Sequence, residues 1–326
     1  MPLVSPLLLI GFLAQVTAGG AGVPPAAVGG AGVPPAGVAT ALPGREVDAR
    51  VAAVGFRLAD QGRARCPMLV PAVGLVLQHL VQFEPADRAS VVAALPLRRG
   101  PGVIALVPGG PAEAAGIRAG DVLLAIDGAA LPAESGLAGA FDAARAHARA
   151  DAIDDLFSPV GHPLAIDLLR DGATVRVSLT PRPVCPSRVR LARSDQRNGY
   201  ADGRHVFLTT GLLERLRGDD ELAFVIAHEM AHNVLGHAAV MRGGDVRGGL
   251  GRTLGRSGRI VRDIERAADR LAGELMLDAG YDPVAGVGML RRVGGTDLGI
   301  ALFASHAPVG ERIAAMRALV AETPQP

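Results

Sequence analysis

His228-Glu229-Met230-Ala231-His232 is the stretch on which the reading of this chain turns. On a helix, residues four apart lie one above the other on the same face, so two imidazoles at this spacing can grip one metal ion. The glutamate between them then reaches a water held by that ion, the arrangement used in zinc-dependent peptide hydrolysis. The flanking residues favour a helix. Asp219-Asp220-Glu221 places acids at its start, where they cap and complement the helix dipole, and Gly236 marks its end. Leu222, Val225, Ile226 and Met230 form a broad apolar surface, so the helix is expected to be largely buried. Two His and a Glu fit such a helix poorly as solvated groups. Buried polar groups need partners, and a metal supplies one.

A catalytic zinc ion takes three protein ligands and leaves a fourth position open. Ile260, Ile264, Ala267, Ala268 and Leu271 follow helical spacing further on, and Glu265 and Asp269, four apart, share a face of that run. Glu265 as ligand, with Asp269 orienting a histidine ring, is one solution. Asp263, Asp269, Glu274 and His306 compete for the third position. Asp263 is two residues from Glu265 and points to a different face, whereas His306 stays open on spacing alone. His237, just past the first helix, reads as a cap or surface residue rather than a ligand.

Three further strings join these: Thr209-Thr210-Gly211-Leu212-Leu213, Ala279-Gly280-Tyr281-Asp282-Pro283 and Ser305-His306-Ala307-Pro308-Val309-Gly310-Glu311-Arg312. Together they resemble metallopeptidase family forty-eight, which contains the CAAX prenyl protease, HtpX and related bacterial envelope proteases. The resemblance covers about residues 186–320, with Ala307 where the family commonly has proline. It implies that His228, His232 and Glu265 bind one zinc ion and that Glu229 is the general base. It also implies that Asp269 supports His228 and that Arg312 holds its segment in place. His306 then stabilises the oxyanion or caps the open zinc position at rest, and the strand around Asn198 to Val206 lies at the cleft edge and pairs with substrate backbone.

Gly109 to Gly128, GGPAEAAGIRAGDVLLAIDG, resembles a bacterial-type PDZ domain, over about residues 98–182. Val103 to Val107, Leu164 to Leu169 and Thr174 to Leu179 read as strands, the last two joined by a turn at Arg170-Asp171-Gly172. Ala133 to Pro159 is longer than such domains usually need and reads as a groove helix plus an insertion. The resemblance implies that Gly100, Pro101, Gly102 and Val103 meet a peptide's terminal carboxylate, and that Val103 to Val107 is the edge strand such a peptide joins. A domain that only spaces or gates the catalytic part is the competing reading.

Leu7 to Val16 is an apolar run of signal-peptide length ending in a small-residue site, Val16-Thr17-Ala18, although no Lys or Arg precedes it. It is short for a membrane span of ~20 residues; an N-terminal anchor is the alternative. Gly19 to Val38 is a tandem GGAGVPPA repeat, a tether rather than a core. In an exported chain, Cys66 and Cys185 are expected to form a disulfide, with two buried thiols as the alternative. Helices are expected over Glu46 to Asp60 and Pro71 to Gln82. Arg242 to Arg262, rich in Gly and Arg, reads as a solvated loop, with a lid or a patch touching anionic lipid as rivals. With 33 basic and 32 acidic residues and no basic tail, nucleic acid is excluded as a partner.

The expected organisation is therefore a leader (1–18), a linker (19–44), a helical segment (45–97), a PDZ-like domain (98–182) and a zinc peptidase domain (183–326). The fold class is α+β multidomain: a mainly helical zincin of the gluzincin type with a small β-sheet, plus an inserted β-rich PDZ-like domain. The function expected is that of a soluble, exported, periplasmic or extracytoplasmic zinc endopeptidase. It acts on unfolded or C-terminal polypeptide segments in envelope quality control, with possible peripheral membrane contact. An adaptor or chaperone with a latched metal site is the rival.

Overall fold

The computed structural model of the chain describes residues 45–131, 134, 137, 139–158, 162–243, 255–293 and 307–323. The expected leader and linker, most of the Gly/Arg-rich stretch and His306 lie outside the described residues. The elements run α1 (Arg45–Gln61), β1 (Val70–Ala72), β2 (Leu75–Gln78), α2 (Arg88–Ala94), β3 (Gly102–Leu106), α3 (Pro111–Ala114), β4 (Val122–Ile126), β5 (Ala129–Ala130), α4 (Ala143–Asp155), β6 (Leu164–Arg170), β7 (Ala173–Leu179), β8 (Arg182–Val184), β9 (Arg188–Ala192), β10 (Gly199–Ala201) and β11 (His205–Thr209). Then follow α5 (Thr210–Leu213), α6 (Asp219–Val234), α7 (His237–Arg242), α8 (Gly255–Asp278), α9 (Pro283–Gly288), α10 (Leu290–Val293) and α11 (Val309–Glu322). The architecture is mixed: a PDZ-like β region and a helical region.

The β region is an antiparallel sheet in the order β2-β3-β4-β6-β7, with β5 on β4. Its two tight hairpins have a common cause. Asp127-Gly128 (φ 50° and 78°) and Asp171-Gly172 (φ 49° and 81°) both place two residues at positive φ, the twist that matches flanking strands. Along β6 burial alternates, with Leu164, Ile166 and Leu168 facing the core, as one face of a half-covered sheet requires. α4 packs Ile153, with Phe157 just beyond it, into the same core.

The helical region centres on α6, where every residue from Leu222 to Ala231 is buried. A helix buried all round needs neighbours on every side. α8, α9 and α1 pack against it, and α11 packs against α8 and α9. A three-stranded sheet in the order β10-β11-β9 lies beside α6, with β11 parallel to β9 and antiparallel to β10. α1 also touches β3, so one helix contacts both regions. Cys66 and Cys185 are joined by a disulfide that links the end of α1 to the chain leaving β8.

The structure corrects three expectations. Pro71 to Gln82 is not a helix: β1 pairs with β8, β2 pairs with β3, and Gly74 between them has φ 71°. Proline is compatible with a first helical position, but the left-handed Gly74 interrupts the run, and Leu75 and Val76 pair with β3 instead. The PDZ-like sheet accordingly begins at β2, and Leu80, Val91, Leu95 and Leu97 form a core with Ile104 and Val122. Residues 45–97 are therefore not one helical segment packing on the peptidase part. Finally, β3 lies between β2 and β4, so the edge strand at that end is β2 and not Val103 to Val107.

The disulfide spans 119 residues of sequence. On the chain-entropy account it contributes about 4–5 kcal/mol. Paired Cys66→Ser and Cys185→Ser substitution is expected to lower the unfolding free energy in denaturant titration by up to that amount, with the m-value rising as the unfolded chain expands.

Candidate metal centre

α6 begins after Gly218, and its first turn carries Asp219, Asp220 and Glu221. Asp220 accepts the N–H of Asp282 at 2.9 Å, and Glu221 accepts the N–H of Arg217 at 2.7 Å and Arg292 Nη2 at 2.6 Å. The acids thus satisfy neighbouring donors while complementing the helix dipole. Nine residues on, His228 and His232 project from one face of the buried helix toward α8, where Glu265 and Asp269 project back.

Three donor atoms converge. His228 Nε2 is 3.2 Å from His232 Nε2 and 3.4 Å from Glu265 Oε2, and His232 Nε2 is 3.5 Å from Glu265 Oε2. Ligands bonded at ~2.0–2.1 Å to one tetrahedral ion stand about 3.3 Å apart. The triangle therefore has the size a zinc ion requires, and two imidazoles with one carboxylate suit that metal. His228, Glu229 and Glu265 are buried.

Behind the triangle, Asp269 Oδ1 lies 3.0 Å from His228 Nδ1. Arg312, from α11, grips the same carboxylate with two bonds: Nε to Oδ2 at 2.8 Å and Nη2 to Oδ1 at 2.6 Å. Burial alone raises the Asp269 carboxyl, but the bonds from His228 and Arg312 prevail and hold it well below the usual carboxylate range. Burial depresses the His228 imidazole, yet Asp269 and Glu265 outweigh it and leave it raised. Burial also pushes Glu229 up, against the lowering charges of His228 and His232. A carboxyl raised above its usual range suits proton transfer.

His237 was expected to be a cap or surface residue. The structure instead buries it, with Nδ1 2.9 Å from His232 Nδ1. If His232 keeps a lone pair on Nε2 for the triangle, its proton sits on Nδ1 and is donated to His237. Burial is the main cause that lowers the His237 pKa to about 4, so it stands as a neutral acceptor. The signal was Gly236, whose φ of 67° turns the chain so that the next residue points back at the helix it has just left.

Asn233 is a second overlooked residue. Its amide donates to Ser187 Oγ (3.1 Å) and to the His205 carbonyl (3.0 Å), and its oxygen accepts the Gly203 N–H (2.7 Å). α6 is thereby fixed to the three-stranded sheet. The expected cleft strand, Asn198 to Val206, contains β10 and the start of β11, and β10 is an edge of that sheet beside α6. Asp263 is paired with Arg266 and Glu274 with Arg270, both outside the triangle.

The four expected carboxylate-binding residues are placed otherwise. Gly100, Pro101, Gly102 and Val103 are buried. The Val103 N–H is bonded to the Asp121 carbonyl at 2.8 Å, and Pro101 accepts the Leu123 N–H at 2.9 Å. A Cβ on Gly100 would collide with the Leu123 carbonyl oxygen. The Val103 amide and the Pro101 carbonyl are thus bonded within the sheet.

Comparison with known proteins agrees with both halves of this picture. Residues 173–247 match the model of peptidase family M48, and residues 102–150 match the PDZ domain model. The chain is thus similar to metallopeptidases of family M48, with a PDZ domain in the same chain. The M48 match ends before Glu265, and the PDZ match begins after β2. Similar solved structures include the HtrA3 PDZ domain bound to a phage-derived ligand (FGRWV), at 17% identity over 36% of this chain and 89% of that one, TM-score 0.26. The HtrA-type protease AlgW with a decapeptide is 22% identical over 35% of this chain and 30% of that one, TM-score 0.24. The photosystem II D1 C-terminal processing protease is 25% identical over 39% of this chain and 27% of that one, TM-score 0.24. This chain therefore spans under a third of the length of the last two. No curated protein sequence matches the chain.

Two substitutions probe the carboxylate behind His228, and each leaves the other member of a buried ion pair unpaired. Asp269→Asn keeps the shape and loses the charge behind His228; zinc affinity in competition with a chromophoric chelator is expected to fall about 10–100-fold. Arg312→Leu leaves a buried carboxylate without its guanidinium and is expected to cost about 3–5 kcal/mol in denaturant unfolding of the metal-free protein.

Proposed function

We propose that this chain is a zinc-dependent endopeptidase in which His228, His232 and Glu265 hold the ion and Glu229 is the general base. The observation that carries the reading is the triangle of donor atoms with 3.2–3.5 Å edges, backed by Asp269, with Glu229 buried on the same helix. A bound zinc ion polarises the scissile carbonyl and lowers the pKa of its water to about 7. Glu229 takes the proton of the attacking water and returns it to the leaving amine. Asp269 and His237 fix the two ring orientations, each from the nitrogen opposite the triangle. β10 offers its free edge to substrate backbone, as an added strand would use it. His306, outside the described residues, is proposed to stabilise the oxyanion or to cap the open position at rest, and Arg312 to anchor its segment. The arrangement proposed is that of a gluzincin.

The second element of the reading is peptide capture by the PDZ-like sheet. β2, not β3, is its free edge, and Leu75 and Leu77 pack against the core that α4 covers. The groove between β2 and α4 is therefore proposed to take an extended peptide, the mode in which PDZ domains bind ligands. The setting proposed is outside the cytoplasm after removal of residues 1–18, with polypeptides in envelope quality control as substrates. No described helix is long and apolar enough to cross a membrane.

The direct test compares wild type with Glu229→Gln on an unfolded protein such as reduced casein, with zinc measured on both. Turnover is expected to fall about 10²–10⁴-fold while zinc is retained; equal turnover sinks the mechanism. For the peptide groove, hydrogen exchange during titration with a hydrophobic C-terminal peptide is expected to protect amides of residues 75–78. Protection confined to 100–103 would contradict the proposed edge.

A further inference from the structure

A second cluster of titratable groups lies away from this centre, where α4 of the PDZ-like region meets the three-stranded sheet. Asp151, Asp154 and Asp155 of α4 face Arg188 and Arg190 of β9 and Arg204 just before β11. Arg188 Nη2 bonds Asp155 at 2.6 Å, Arg190 bonds Asp154, and Arg204 also bonds Asp155. Within this group sits His205, 3% exposed. Its Nδ1 is 2.9 Å from Asp202 Oδ2, and its Nε2 is 2.8 Å from Asp151 Oδ1.

Both ring nitrogens of His205 thus face carboxylate oxygens. A neutral imidazole has one N–H and one lone pair, so it can satisfy only one of them. A cation must stand at the other: a second proton or a metal ion. The charges agree, because four carboxylates (Asp151, Asp154, Asp155, Asp202) meet three guanidinium groups (Arg188, Arg190, Arg204).

His147 distinguishes the two cations. It lies one turn before Asp151 on α4, and its ring stands edge-on to His205 with centroids 4.6 Å apart. One donor atom each from His147, Asp202 and His205 lie within 4.8 Å of one another. A proton on His205 gains little from a neighbouring imidazole, whereas a divalent ion takes it as a third ligand.

We propose that His147, Asp202 and His205 form a second divalent-cation site, of the imidazole–carboxylate class that takes Zn²⁺, Co²⁺ or Ni²⁺. Asp151, on the far nitrogen of His205, is its positioning carboxylate, as Asp269 is for His228. An ion here fastens α4, which borders the peptide groove, to β11. The His205 carbonyl in turn accepts from Asn233, the residue next to His232. The site is independent of the peptidase reading.

The test is equilibrium dialysis of the full chain against Zn²⁺ at micromolar free concentration, with metal per chain counted by mass spectrometry. Wild type is compared with His147→Gln, a partly exposed helix position, and with Asp202→Asn, which keeps Oδ1 for the N–H groups of Arg204 and His205. Each variant is expected to bind one equivalent fewer than wild type, and added Zn²⁺ to raise the melting temperature of wild type more than that of either variant. Equal equivalents in all three proteins would overturn the proposal. Because the readout is a difference, loss of metal at the His228 centre would lower all three counts together and would not mimic either result.

Discussion

The carboxylate of Asp269 lies between an imidazole and a guanidinium, 3.0 Å from His228 and 2.6 and 2.8 Å from Arg312, with all three side chains buried. Removing such an ion from water costs several kcal/mol, and only close, bidentate pairing offsets that cost. The consequence is geometric. One ion holds α6, α8 and α11 in a single arrangement, and that arrangement fixes the ring of His228. The Phe224 ring, 5.5 Å from the guanidinium carbon, covers Arg312 from the side of α6. Movement of α11 would unpair the carboxylate and release the histidine together.

The rest of the helical region serves this constraint with small residues. Aromatics are 3% of the chain, so close helix approach replaces bulky filling. A Cβ on Gly273 of α8 would run into Leu319 and Met316 of α11, and one on Gly286 into the Asp220 carbonyl and Phe224 of α6. These contacts bring the helices near enough for the Asp269 pair to close. α1 and the Cys66–Cys185 disulfide then join this framework to the chain entering and leaving the PDZ-like sheet.

What could be read from the sequence follows the range of the interactions. His228 with His232, and Glu265 with Asp269, are pairs at helical spacing, so each pair's shared face is fixed by helix geometry before any packing is known. The Asp171-Gly172 hairpin was legible for the same reason, since its positive φ values are a local demand. Features that depend on distant partners were not. The apolar residues of β2 fit either a helical or a strand period, and pairing with β3 decides between them. The edge of the PDZ-like sheet moved with it. His237 returns to His232 only because Gly236 turns left-handed, and His147 and His205 meet only across an interface between two regions.

The claim on which the functional account depends is that His228, His232 and Glu265 share one zinc ion. Anomalous scattering at the zinc edge, from crystals of the zinc-loaded full chain, tests it most directly. The account predicts a peak about 2 Å from His228 Nε2, His232 Nε2 and a Glu265 oxygen, with Asp269 still on His228 Nδ1. Zinc-loaded crystals with no peak among these three side chains, or with a peak ligated by other residues of α6 and α8, would contradict it.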